Sequence, residues 1–219
     1  MIYTFVLVVI AWIFSLCLHE FSHAIVAYYG GDTTVKEKGY LSFNPLVYAH
    51  PFLSIVLPVV ILLIGGLGLP GGAVYIDTRL LRSRAWESLV SAAGPASNAL
   101  LAIVLAIPFM LGLVDPSSSP QLWGAYAFIV VLQVTACLFN LLPIPPLDGF
   151  GIIAPWLGPD LRQRAHALGS EYGLLIIIAL FWYVKPVNDI FWGVVTTISS
   201  MLGVPEYLWQ MGLKSFLIF

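Results

Sequence analysis

His19, Glu20 and His23 stand close together in the otherwise apolar run LCLHEFSHAIVAYYGG, residues 16–31, and their spacing fits H-E-x-x-H. Residues four apart on a helix lie one turn apart on the same face. Two imidazoles so placed can share one Zn²⁺, and the adjacent glutamate sits at the site without needing to be a ligand. It would act as a general base, taking a proton from a water acidified by the metal and passing it to a departing amine. With four histidines and five glutamates in 219 residues, random placement gives this pattern in roughly two chains per thousand. The plain alternative is a set of polar residues packed at a helix interface. It loses ground because ionisable side chains inside a membrane segment are expensive and are functional by default.

Two histidines do not hold a catalytic zinc, which takes three protein ligands and keeps a fourth position for water. Between Val90 and Leu147 the only charged residue is Asp115, in the loop DPSSSP (115–120). The next is Asp148, in NLLPIPPLDG (140–149), at the end of an apolar segment. Asp148 is the best third ligand. His50 and His166 fall outside the apolar spans and read as interfacial histidines. Cys17 and Cys137 fall inside apolar runs and read as buried free thiols rather than a disulfide framework.

These residues need elements to bring them together, and composition says which kind. The chain is 60% hydrophobic and 9% charged, with mean hydropathy +0.96, where a soluble domain carries about 25% charge. The long unbroken apolar runs exclude a membrane barrel, whose strands alternate. The net charge of −2 comes without any basic patch for nucleic acid. The expected class is an all-α polytopic membrane protein with about five to six transmembrane or re-entrant helices. Short membrane-associated β-strands are expected around 32–45 and 70–77, from β-branched and aromatic residues beside turn signals.

Apolar segments run over about 2–29, 51–69, 88–114, 121–142 and 172–202, the last interrupted at Lys185-Pro186. Gly30-Gly31 ends the first. The start of the chain has no basic region and no small-residue cleavage site, so it reads as a retained helix. One membrane-embedded domain over 1–219 is expected, with its core in 1–155 and peripheral C-terminal helices over 170–203.

H-E-x-x-H in one membrane helix, with N-x-x-P-x-P-P-L-D-G closing a later one, resembles the site-2 protease family of intramembrane zinc metalloproteases. AAGPASN (92–98) is similar to the family's A-G-P-x-x-N segment. GYLSFNPL (39–46) and AVYIDTRLLRS (73–83) are similar to stretches of its compact members, which lack PDZ and CBS domains. The resemblance covers about residues 10–155. It implies that His19, His23 and Asp148 hold one zinc and that Glu20 is the general base. It also implies that Asn140, and with it Asn98, stands near enough to help a substrate or an oxyanion. The substrates implied are membrane proteins cut in or near a transmembrane segment.

Depth sets the topology. His23 lies seven residues before Gly30, about 10 Å of helical rise, and Asp148 lies just past the end of the fourth segment. Both helix ends must face one side, so the chain must return to its starting side between Gly30 and Ser88. Lys36, Lys38, Arg79, Arg82, Arg84, Arg162 and Arg164, seven of the nine basic residues, then share that side. By the positive-inside rule it is cytoplasmic, with Met1 outside and the protein multi-pass in the cell membrane. The stretch 70–77 would offer an extended substrate a strand edge. A prenyl-protein-processing type of membrane protease would instead use a downstream glutamate as third ligand, and Glu171 is the one residue to weigh against Asp148.

Overall fold

A computed structural model of the chain describes residues 2–48 and 74–217. The described residues form nine α-helices: α1 (Ile2–Gly30), α2 (Thr34–Glu37), α3 (Pro45–Tyr48), α4 (Arg84–Met110), α5 (Pro120–Asn140), α6 (Asp148–Ile153), α7 (Pro159–Tyr183), α8 (Lys185–Met201) and α9 (Glu206–Phe216). Two short 3₁₀ turns, Thr78–Leu80 and Ala154–Trp156, complete the set. Four helices, α1, α4, α5 and α7, are long and apolar enough to cross a membrane; α8 and α9 form a further pair bent by 117°. The expected five to six helices correspond to four or five among the described residues. The apolar segment 51–69, like His50, lies outside the described residues.

Local chemistry sets the helix ends. α1 stops where Gly31 takes φ +125°, a conformation open to glycine because it has no Cβ. Asp32 N–H then donates to Ala27 O at 3.0 Å and Gly31 N–H to Tyr28 O at 3.2 Å, the paired bonds that close a helix C-terminus. Ser83 caps α4, its hydroxyl accepting from Trp86 N–H at 3.4 Å. Pro120 opens α5, where its missing N–H costs nothing. The last apolar region divides at Val184, between α7 and α8.

α1, α4 and α5 pack on one another, and α9 lies along α5. Their shared core takes Val8, Trp12 and Leu16 from α1, Ala102 and Ala106 from α4, and Phe128, Val131 and Val134 from α5. Small residues such as Ala102, Ala106 and Ala127 are fully buried, as expected where lipid supplies no hydrophobic drive and helices associate by close van der Waals contact. The outer surface is apolar as well: Ile10, Phe14, Leu100, Ile103, Leu175 and Trp182 are all exposed. An apolar face this broad belongs against lipid, and the protein is a multi-pass membrane protein.

The expected strands are absent from the described residues. Residues 34–37 and 45–48 are helical. Asp32 accepts both the N–H and the hydroxyl of Thr34, at 3.0 and 2.6 Å, and Tyr40 N–H closes back on Val35 O at 2.9 Å. These local bonds take up the main chain that a ladder would have used. Residues 74–77 carry no ladder either, and 70–73 lie outside the described residues. Val74 N–H donates to Glu20 Oε2 at 3.1 Å and Asp77 N–H to Asp32 Oδ2 at 2.7 Å. Side-chain carboxylates thus stand where a neighbouring strand was expected. Arg79, bonded through its side chain to Asp77, holds that carboxyl down at about 2.

Candidate metal centre

α1 carries His19, Glu20 and His23 on its buried face. Each imidazole is fixed at Nδ1. His19 Nδ1 lies 2.6 Å from Asn98 Oδ1, and His23 Nδ1 lies 2.6 Å from Val90 O. Both acceptors belong to α4, so both rings present Nε2 to the same point. α6 begins with Asp148, and its carboxylate meets that point: Oδ2 is 3.1 Å from His19 Nε2 and Oδ1 is 3.3 Å from His23 Nε2. The two Nε2 atoms are 3.0 Å apart.

These separations bear on whether a metal fits. Four-coordinate zinc with ligands at about 2.0–2.1 Å sets neighbouring ligand atoms about 3.3 Å apart. The two Nε2 atoms, 3.0 Å apart, come within a few tenths of an ångström of that value, and each faces its own carboxylate oxygen of Asp148 at a similar distance. The Nδ1 atoms donating to an amide oxygen and a carbonyl match the outer-shell bonds that orient metal-binding histidines. Room for the cluster comes from Gly94: a Cβ there would fall on Nε2 of both His19 and His23.

A cavity of about 340 Å³ opens beside the cluster, lined among others by Glu20, Val74, Ile76, Asn140 and Asp148. Glu20 is buried and borders it, with Oε2 engaged by Val74 N–H. Asn140 borders it from the end of α5, its Nδ2 donating to Ala136 O at 3.0 Å. Asn98 lies behind His19, on the far side of the ring from the cavity. His166 packs edge-on against Phe150, with centroids 5.2 Å apart. Glu171 is exposed and accepts from Tyr172 Oη at 2.6 Å, so it takes no part in the cluster.

Three groups of supporting residues went unread in the sequence. Ser15 and Gln133 bond to each other and to Asn98. Val74 holds Glu20. Ser88 ties α4 to the stretch after Asp148, donating to Ile152 O at 2.6 Å and accepting from Trp156 Nε1 at 2.9 Å. Only Gln133, a lone amide amid the apolar run of α5, carried a signal that could have been found.

A membrane helix bundle holding His-His-Asp beside a buried glutamate defines a class, the membrane metalloproteases, and known relatives agree. The chain is 45% identical over 212 residues to "Putative zinc metalloprotease Rip2" of Mycolicibacterium smegmatis, covering 95% of this chain and 78% of that protein. To the protein of the same name in Mycobacterium tuberculosis it is 43% identical over 208 residues, with the same coverage. "Putative zinc metalloprotease YwhC" of Bacillus subtilis is 35% identical over 179 residues, covering 79% of this chain and 78% of that protein. No family model and no solved structure matches the chain. The chain belongs to the site-2 protease family of zinc metalloproteases.

Proposed function

We propose that this protein hydrolyses peptide bonds in or next to transmembrane segments of membrane-protein substrates. The observation that carries the reading is the meeting of His19, His23 and Asp148 at one point, beside Glu20 and within a helix bundle. His19 Nε2, His23 Nε2 and a carboxylate oxygen of Asp148 would hold one zinc per chain. Zinc bound there would supply an acidified water, with a pKa near about 7, and Lewis acidity toward the scissile carbonyl.

Glu20 is the general base. Val74 N–H holds its Oε2, which leaves Oε1 to take a proton from the attacking water and return it to the amine as the C–N bond breaks. Asn140, at the cavity wall, is positioned to donate toward the carbonyl oxygen as negative charge develops there. Asn98 serves the reaction from behind His19.

The whole chain, 1–219, acts as a single membrane-embedded protease domain, with the chemistry in 1–155 and the helices over 170–203 at its periphery. The active site faces the cytoplasm and the N-terminus lies outside. Arg82 N–H donates to Gly30 O at 2.9 Å, so the end of α1 and the approach to α4 share one end of the bundle, beside the basic residues that favour the cytoplasmic face. Cysteines introduced at positions 36 and 82 should label from the same face; labelling from opposite faces would overturn this orientation.

Glu20→Gln tests the assignment of the base. The purified variant should keep its zinc and lose cleavage by about 10²–10⁴-fold. Full activity in that variant would refute the role of Glu20.

A further inference from the structure

We propose that Gln133 is a positioning residue for His19, acting through Asn98. This rests on the reading of His19 as a zinc ligand and extends it to a residue in a third helix. Gln133 lies midway along α5 and is 1% exposed. An amide placed there carries a desolvation cost that a leucine would avoid, and hydrogen bonds offset it. Its Oε1 accepts from Ser15 Oγ of α1 and from Asn98 Nδ2 of α4, the latter at 3.1 Å. Asn98 Nδ2 also donates to Ser15 Oγ at 2.9 Å.

The two histidines differ in what holds them. His23 donates to Val90 O, a main-chain carbonyl of a helix, which has one orientation. His19 faces a side-chain amide, which has two. Were Asn98 turned over, its NH₂ would meet His19 Nδ1 and the ring would present Nε2–H, a donor, toward the metal site. Gln133 Oε1 prevents this, because the turned amide would set Asn98 Oδ1 against an acceptor oxygen. Gln133 thereby fixes the Asn98 amide, Asn98 fixes Nδ1–H, and Nε2 keeps its lone pair for zinc. Outer-shell partners of this kind are worth 10–100-fold in metal affinity.

The test is zinc affinity of the full-length protein in detergent, by competition with a chelator. Gln133→Met keeps an unbranched side chain of similar length and should bind zinc about tenfold more weakly. Asn98→Ala should lose at least as much. In the double variant the loss should match that of Asn98→Ala alone, within about twofold. Wild-type affinity in Gln133→Met would overturn the inference, as would a double-variant loss equal to the product of the single losses, which marks mere packing. If Gln133→Met does not fold, Gln133→Leu decides: it removes the acceptor oxygen at similar volume and should bind zinc about tenfold more weakly, and wild-type affinity overturns the inference. His19→Ala runs alongside. If it retains wild-type zinc affinity, the metal-site reading falls and the inference with it; if it loses zinc while Gln133→Met does not, the positioning role alone falls.

Discussion

The two halves of the candidate metal centre meet at one point and are held there in different ways. His19 and His23 belong to a continuous 29-residue helix, and the helical repeat alone sets them one turn apart. Asp148 follows a stretch containing Pro143, Pro145 and Pro146 and opens a helix of six residues. Its own segment holds it only through short turn bonds, Ile144 N–H to Leu142 O and Leu147 N–H to Ile144 O, each at 2.8 Å. The stretch that follows it is tied to α4, where Ser88 bonds to Ile152 O and Trp156 and Glu87 bonds to Arg162. One half is thus fixed by secondary structure and the other by tertiary contacts. Substitutions that strike the meeting point should therefore act in full on either half, while those striking the supports should act in proportion to how many supports remain.

The largest effect is expected at the meeting point. Asp148→Ala should reduce the zinc content of the purified protein from about one per chain to near none, since two histidines alone hold zinc poorly. Glu171→Ala should keep its zinc, because Glu171 lies exposed beside Tyr172. Zinc retained by the first variant and lost by the second would move the third ligand to Glu171 and dissolve the contrast between the halves.

Next comes the wall that α4 presents to the histidines. Gly94→Ala sets a methyl group on Nε2 of both His19 and His23, and both rings are pinned from behind at Nδ1. Zinc affinity should fall on the order of 10²-fold while the helices stay intact. Gly193→Ala is the matched control, since a Cβ there meets nothing within 4 Å. Chelator competition and helical circular dichroism read both outcomes. Wild-type affinity in Gly94→Ala would mean that α4 yields and that the histidine half is less rigid than its bonds imply.

The same division explains what could be read in the sequence. Periodicity and hydropathy are local, so α1, α4 and α5 were legible nearly to their ends, as were the break near Lys185-Pro186 and the stop at Gly30-Gly31. H-E-x-x-H was legible because four-residue spacing is itself helical geometry. Asp148 could be found because acids between Val90 and Leu147 are so scarce. The supports were not legible, because a hydrogen bond such as Trp156 to Ser88 spans 68 residues and leaves no periodic trace. The strand expectation at 32–45, and in the described residues 74–77 of the expected 70–77, failed for a related reason. Residue types suited to strands need a partner ladder, and here the main chain finds the carboxylates of Asp32 and Glu20 instead.

The smallest effect is expected at the outermost support. Arg162 Nη2 lies 2.6 Å from Glu87 Oε2, with the arginine side chain 32% exposed and the glutamate 16%. A part-buried pair still reached by solvent contributes on the order of 1 kcal/mol, which corresponds to a rate change of about fivefold if all of it is felt at Asp148. Arg162→Gln should therefore slow cleavage by that factor or less and leave zinc content unchanged. The deficit relative to wild type should shrink as salt is raised, because screening weakens the intact pair and not the broken one. Exchanging the charges, with Glu87→Arg and Arg162→Glu together, should recover part of the loss. A loss as deep as that of Gly94→Ala would mean that the bonds of Ser88 do not hold Asp148 alone. The acid half of the centre would then hang on a single surface contact, and its rigidity would have to be sought in the packing of α7 rather than in α4.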